Sequence, residues 1–274
     1  MPDLAMPERT PYPSDLTDEQ WALIEPFVRA VGGGPKEQVH PRREVVNAIL
    51  YVSRTGVQWR YLPHDLPDWQ SVYHYFRLWK KDGTWKRVHD ALRGKVRQAE
   101  GREHAPTAGI MDSQSVKASE EADSRGYDAG KQVKGRKRHL LVDVLGMFLV
   151  AWVTSADVQD RDAPRVVLPR AAEDYPSLGK VWADAGYQGP VVAEAAKEAG
   201  LELEIVRRSE AEKGFVVQKR RWVVERTNAW LTRQRRLARD YELQEHSSEV
   251  SIHIAMTDLM LRRLALAVHL NTLS

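Results

Sequence analysis

Apolar residues recur at helical spacing over the first hundred positions and at strand spacing over much of the remainder. Trp21, Ile24 and Phe27 share one helical face, and a T-x-x-Q capping box at Thr17 and Gln20 precedes them, which predicts a helix over about 18–30. Gly32, Gly33, Gly34 and Pro35 break it. Val45, Ala48, Ile49 and Val52 predict a second helix over 42–55. A proline-bounded loop spans 62–67. Asp68 is placed to cap a third helix over 69–81, and a fourth runs over 84–99.

The polar segment EGREHAPTAG (100–109) separates this helical stretch from a different pattern. Strands are predicted over 110–116, 138–144 and 148–154, the last two joined like a hairpin through Leu145, Gly146 and Met147. A helix over 163–174 follows, with Pro164 in its first turn, where proline is tolerated. Then come a strand at 180–183, a helix at 191–199, a strand at 203–206, a long helix through Glu225 and a last helix over about 248–270. Three strands, then alternating helix and strand, then a helix form the order of a ribonuclease-H-like domain. The expected organisation is a proline-rich arm (1–14), a small all-helical, helix-turn-helix-like unit (15–100), a linker (101–109) and an α/β, RNase H-like catalytic domain (110–274).

Composition narrows the class. Hydrophobic residues make up 42% of the 274, which suits a packed core, and the absence of cysteine excludes disulfides and thiolate-bound zinc. Net charge is only +3, but the base is clustered. Lys131, Lys134, Arg136, Lys137 and Arg138 form one block without an acid, and Arg207 to Arg239 form a second. Such clusters are the electrostatic footprint of a phosphate-backbone binder. The first residues carry no apolar signal segment. The apolar C-terminal run is interrupted by Asp258, Arg262 and Arg263, so a buried amphipathic helix is expected rather than a membrane span. The expectation is a cytoplasmic, nucleoid-associated protein.

Three acids stand in settings that suit metal-assisted chemistry. Asp112 lies in the strand segment GIMDSQSVK, Asp184 ends the strand in KVWADAGYQG, and Glu225 sits in the basic helix KRRWVVERTNAWLTRQRR. Open α/β sheets place their sites at the carboxyl ends of strands. Two strand carboxylates and one helix carboxylate beside cations match a two-metal phosphoryl-transfer site, with hard oxygen ligands for Mg2+ and Mn2+ as a substitute. On the helix, Arg221, Glu225, Asn228, Thr232 and Arg236 are expected on one face, with Val223, Trp230 and Leu237 on the other. Among the remaining acids, Asp143 is the alternative candidate, while Asp160 and Asp162 read as loop and N-cap residues. His64, His74, His139 and His253 show no metal-ligand spacing.

A DNA-reading face is expected on the third helix. Trp69, Val72, Phe76 and Trp79 form its apolar side, and Gln70, His74, Arg77 and Lys81 the other. Gln and Arg make bidentate contacts with adenine and guanine edges in the major groove. Further DNA contacts are expected from Lys134, Arg136, Arg138, Arg221, Arg226, Arg233 and Arg236.

The chain resembles the DDE transposases of bacterial insertion sequences, of the fifth insertion-sequence family type, over nearly its whole length. The resemblance rests on LTDEQWALIEPF (16–27), RREVVNAILYVSRTGVQWRYLP (42–63), WQSVYHYFRLWKKDGTW (69–85), MDSQSVK (111–117), KGRKRHLLVDVLG (134–146), TSADVQDRD (154–162), ADAGYQG (183–189) and RRWVVERTNAWLTRQRRL (220–237). It implies an RNase-H-like core and a metal-bound triad that falls on Asp112, Asp184 and Glu225. It also implies double-stranded transposon ends and target DNA as partners, Mg-dependent cleavage and strand transfer, and a homodimer or higher assembly on DNA. Related transposases often place Tyr three residues before an Arg, that Arg four before the Glu, and Lys seven after it. Here Arg221 fits the Arg position, Gln218 and Thr232 stand at the other two, and Arg233 is the nearby cation. The interval from Asp184 to Glu225 has no room for the large β-rich insertion of some relatives. Two rival readings are a nuclease on the same fold that cuts without joining, and a repurposed, non-catalytic DNA-binding protein. The apolar residues of the last helix, Ile252, Met256, Leu259, Met260, Leu264 and Val268, are expected to pack on the sheet or a partner helix. Trp59, Trp69 and Trp85 offer a second dimer contact.

Overall fold

The computed structural model of the protein describes residues 9–29, 40–206 and 221–271, with the side chains of Arg221 and of 267–271 outside the description. Most of the 1–14 arm, the Gly32–Pro35 break, the 207–220 part of the second basic cluster with Gln218, and the Arg221 and Val268 side chains therefore lie outside the described residues. Chain contacts divide into two units. One holds residues 1–102, 233–237 and 250–274, and the other 103–232 and 238–249.

The first unit is helical: α1 (Asp18–Arg29), α2 (Arg42–Thr55), α3 (Trp69–Lys81) and α4 (Thr84–Ala99). Local chemistry sets its boundaries. The capping box closes reciprocally, with Thr17 N donating to Gln20 Oε1 at 3.0 Å and Gln20 N to Thr17 Oγ1 at 3.3 Å. Asp68 Oδ1 accepts from Ser71 N at 2.9 Å and so starts α3. Ile24, Val28, Val45, Ile49, Val72, Phe76, Trp79, Trp85, Val88 and Leu92 are buried where the four helices meet.

The long C-terminal helix α9 (Glu245–Asn271) corrects an expectation. From Val250 on it groups with the helical unit, not with the sheet, so the stretch 110–274 is not one body. Its Asp258 is buried and receives Arg54 Nη2 at 2.5 Å and Gln234 Nε2 at 2.7 Å. Ile252, Met256 and Met260 are buried beside it. The apolar periodicity marked a buried face, but period alone does not say which partner covers it. Among the described residues, no helix is long and apolar enough to cross a membrane.

The second unit is built on a mixed sheet. Its strands are β1 (Ala108–Lys117), β2 (Gly126–Asp128), β3 (Val133–Asp143), β4 (Phe148–Ser155), β5 (Lys180–Ala183) and β6 (Glu202–Ile205). The order is β2-β3-β1-β5-β6, with β4 also on β3. β3 is antiparallel to β1 and β4, and β5 is parallel to both β1 and β6. On one face, α5 (Pro164–Asp174) and α6 (Pro190–Glu198) cover Met111, Leu141, Leu149, Val181 and Ala183. On the other, α7 (Arg221–Thr232) lays Val223 and Val224 against Ile110, Val142 and Trp182. Both faces of β3 are covered, which explains its continuous burial from Gly135 to Asp143.

α7 is pinned at the β3–β4 turn. Thr227 Oγ1 donates to Gly146 O at 2.8 Å, and Arg226 Nη2 to Leu145 O at 2.9 Å. Gly146 has φ +78°, and a Cβ there would stand 2.8 Å from Thr227 Oγ1, so glycine is needed for both conformation and approach. α7 ends at Thr232, and a separate short helix α8 (Arg235–Ala238) follows. The expected helical face running from Arg221 to Arg236 is therefore broken.

Candidate active site

The parallel pairing of β1 and β5 ends at Met111 opposite Ala183. The next residue on each strand is an aspartate, Asp112 and Asp184. Adjacent strands lie about 4.8 Å apart, so the sheet brings two carboxylates together at one edge. Both are partly exposed. Asp112 follows Ile110 on the face covered by α7, by the two-residue alternation of a strand. Asp184 keeps an extended backbone past the strand end, and its Oδ1 accepts from Gly186 N at 2.8 Å. That bond opens a short 3-10 turn, Ala185–Tyr187, and fixes the carboxylate at the strand tip.

Glu225 lies on α7, the helix that packs on β1 and β3 on the Asp112 face. Its side chain is exposed, between buried Val224 and half-buried Arg226. Among the described residues, no three His, Asp or Glu side chains are grouped as a metal-binding cluster. The two aspartates are thus adjacent in register, and Glu225 shares their side of the sheet without closing on them.

Two acids change roles relative to the sequence reading. Asp143 is fully buried, and its Oδ1 accepts from Leu145 N at 2.9 Å and Met147 N at 2.8 Å. It shapes the β3–β4 hairpin and is not an alternative site acid. Asp160, expected as a loop residue, stands beside the site. A Cβ placed on Gly186 would lie 3.0 Å from Asp184 Oδ1 and 3.8 Å from Asp160 Oδ2. Tyr187 is buried there too, and the charges of Asp112, Asp160 and Asp184 add to burial in raising its phenol well above the usual range. It therefore keeps its proton. The only cue to this in sequence was the spacing of three aspartates at 157, 160 and 162, which looks like ordinary helix capping.

The cations divide by exposure. Gln70, His74, Arg77 and Lys81 are all exposed along α3, as are Lys134 and Arg233. Arg136 and Arg138 are fully buried and cannot serve as surface phosphate contacts. Arg136 donates to Asp123 Oδ1 at 2.5 Å, Glu242 O at 2.8 Å and Leu243 O at 2.6 Å, and pairs with Asp240 at 3.4 Å. It ties the chain after β1 to the segment before α9. Arg138 reaches Gln114 Oε1 at 3.4 Å, and burial lowers its pKa. Arg236 is buried with its guanidinium 5.9 Å from the Trp59 ring. Arg226 lies between the Trp222 and Trp230 rings at 4.4 and 4.6 Å, an internal cation–π stack. Arg136, Arg138 and Arg236 are corrections: the arginine clusters were read as one surface, but β3 buries the first two and Arg236 is buried near Trp59, while half-buried Arg226 is engaged by the tryptophans of α7.

Comparison with known proteins follows this geometry. The family model "Transposase DDE domain" matches residues 103–257, a stretch that contains β1, β5, α7 and all three acids. A second, "Putative transposase of IS4/5 family", matches residues 16–89, over α1 to α4. The chain is 32% identical over 111 residues to the insertion element IS402 uncharacterized 16.2 kDa protein of Burkholderia cepacia, covering 38% of this chain and 73% of that one. It is 36% identical over 115 residues to the "Putative transposase for insertion sequence element IS402" of the same species, covering 39% of this chain and 54% of that one. It is also 37% identical over 72 residues to the uncharacterized protein y4sN of Sinorhizobium fredii (strain NBRC 101917 / NGR234), covering 25% and 55%. The chain spans little more than half the length of the last two. With the DDE domain matched over more than half of its residues, and the IS4/5 match ahead of it, the chain belongs to the DDE transposases of insertion sequences.

Proposed function

We propose that this transposase binds the terminal inverted repeats of its insertion sequence and performs Mg-dependent strand cleavage and strand transfer. The observation that carries the reading is the placement of Asp112, within β1, and Asp184, just past the end of β5, directly after the paired residues Met111 and Ala183 inside the matched DDE domain. We further propose that this domain is RNase H-like. The support is a three-strand antiparallel run, β1, β3 and β4, extended by parallel β5 and β6.

The donor set suits a hard divalent cation. Asp112 and Asp184 follow the paired positions Met111 and Ala183 on neighbouring strands, and the buried Tyr187 phenol lies within reach of both their charges. Asp112 and Asp184, with Glu225 from α7, would hold Mg2+, or Mn2+ in its place. Ions held there would supply Lewis acidity to water and phosphate. The chain's own part is positioning. The Gly186 amide holds Asp184 at the strand tip, and Thr227 and Arg226 lock α7 in place on the sheet. Exposed Lys134 and Arg233 are available to phosphates, and α3 offers Gln70, His74, Arg77 and Lys81 to base edges. No serine, histidine or tyrosine nucleophile enters the scheme.

The test is incubation of the protein with its element's ends and Mg2+, followed by separation of nicked from joined products. Wild type is expected to give both. Asp184→Ala is expected to abolish both and leave end binding intact. Cutting by that variant at the wild-type rate would sink the assignment, and nicking without joining would favour a plain nuclease.

A further inference from the structure

Asp160 has an orientation that a turn residue does not need. Its Oδ1 pairs with Lys137 Nζ at 3.1 Å, and Lys137 is itself buried, with its side chain 7% exposed. The same ammonium pairs with Asp128 at 3.4 Å and donates to Val158 O at 2.7 Å, so it is firmly held. With Oδ1 on the lysine, Oδ2 lies 3.8 Å from the point a Gly186 Cβ would occupy, and Asp184 Oδ1 lies 3.0 Å from the same point. Any side chain at 186 would crowd the Asp184 carboxylate.

Asp112, Asp160 and Asp184 all lie close enough to Tyr187 to act on it. The ammonium paired with Asp160 is shared with Asp128. Lys131 Nζ is directed to Ser113, and burial holds the His139 pKa down at about 4, so that ring adds no charge at neutral pH. Carboxylates brought this close disfavour each other's charge unless a cation offsets them. Independently, Tyr187 is 1% exposed and its hydroxyl has no hydrogen-bond partner of good geometry, although it lies near Ser113. A buried donor left unmade in this way is costly, and it sits among these acids.

We propose that Asp160 is a positioning residue of the divalent-cation site, adding negative charge on its Asp184 side under the hold of Lys137. The proposal rests on the reading of Asp112 and Asp184 as ion ligands. Residues of this kind set metal affinity, and their loss costs about 10–100-fold. Asp160→Asn keeps the volume and the oxygen facing Lys137 and removes the charge.

Calorimetric titration of Mn2+ into the full chain tests this without relying on activity, alongside thermal melts in the absence of metal. Asp160→Asn is expected to weaken Mn2+ affinity about 10-fold or more with a melting temperature close to wild type. A lower melting temperature with wild-type Mn2+ affinity would mark Asp160 as a structural turn residue and overturn the proposal. Asp184→Asn is the control. If it abolishes binding while Asp160→Asn binds as wild type, only the Asp160 proposal fails. If neither substitution alters binding, the ion-site reading fails with it. Should Asp160→Asn not fold, iron-directed cleavage of the wild-type chain gives the answer. Fe2+ with ascorbate and peroxide is expected to cut at 158–162 together with 184–187, and cuts at 184–187 alone would refute the placement.

Discussion

Arg136 and His139 lie three residues apart on β3, and their burial has opposite consequences. Arg136 is satisfied by two acids, three carbonyls and a serine hydroxyl from segments far apart in sequence. Removing such a partner typically costs about 3–5 kcal/mol, because the opposing charge is left buried. His139 is neutral: burial pulls its pKa from the ordinary 6.5 to about 4, with the Asp160 charge only partly opposing. The unfolded chain therefore takes up this proton first as the pH falls. The stability linked to His139 is complete above about pH 6.5 and is lost as the pH drops through 4. The drop from 6.5 to about 4 corresponds to an effect on the order of 3 kcal/mol. Thermal melts from pH 7.5 to 4 are expected to show a shallower decline for His139→Gln than for wild type. Parallel declines would contradict the assignment.

Two helices divide the remaining work. α3 buries Val72, Tyr75, Phe76 and Trp79 and exposes Gln70, His74, Arg77 and Lys81. A base-edge contact by arginine is worth about 1–3 kcal/mol of discrimination. Arg77→Ala is accordingly expected to weaken binding to the element's ends more than to random DNA, read by competition binding at fixed salt. Equal losses on both would reduce Arg77 to a phosphate contact. α7 instead works through anchorage: Thr227 and Arg226 fasten it to the hairpin turn, and the Trp222–Arg226–Trp230 stack stiffens it. Glu225 is carried on that rigid helix, so a shift of the hairpin turn would move it.

At the scale of the whole molecule, the chain passes between its two units more than once: 233–237 and 250–274 belong to the helical unit, and 238–249 to the sheet unit. Truncation after α7 would therefore strip residues from both. A transposase brings two ends together, and two-fold assemblies match inverted repeats by symmetry. A dimer or higher assembly is expected on paired ends, measured by light scattering with and without end DNA. A single protein chain that completes strand transfer on a single end would refute it.

The sequence by itself determined most of the elements. The capping box at Thr17, the cap at Asp68 and the helical apolar spacing placed α1 to α4 to within a residue, because helix ends and faces are local chemistry. Alternation and turn residues did the same for β4 and β5, while β1 begins two residues and β3 five residues before the expected starts; the Asp112–Asp184 pair stood out because each acid ends or interrupts an apolar strand. Only the tertiary structure decided which basic residues are surface. Arg136 and Arg138 are indistinguishable from Lys134 by composition, and it is the covering of both faces of β3 that buries them. It likewise moved the C-terminal helix to the helical unit, broke α7 before Arg236, and turned Asp160 toward Gly186. Each of these depends on contacts between residues distant in sequence, which no local period or spacing encodes.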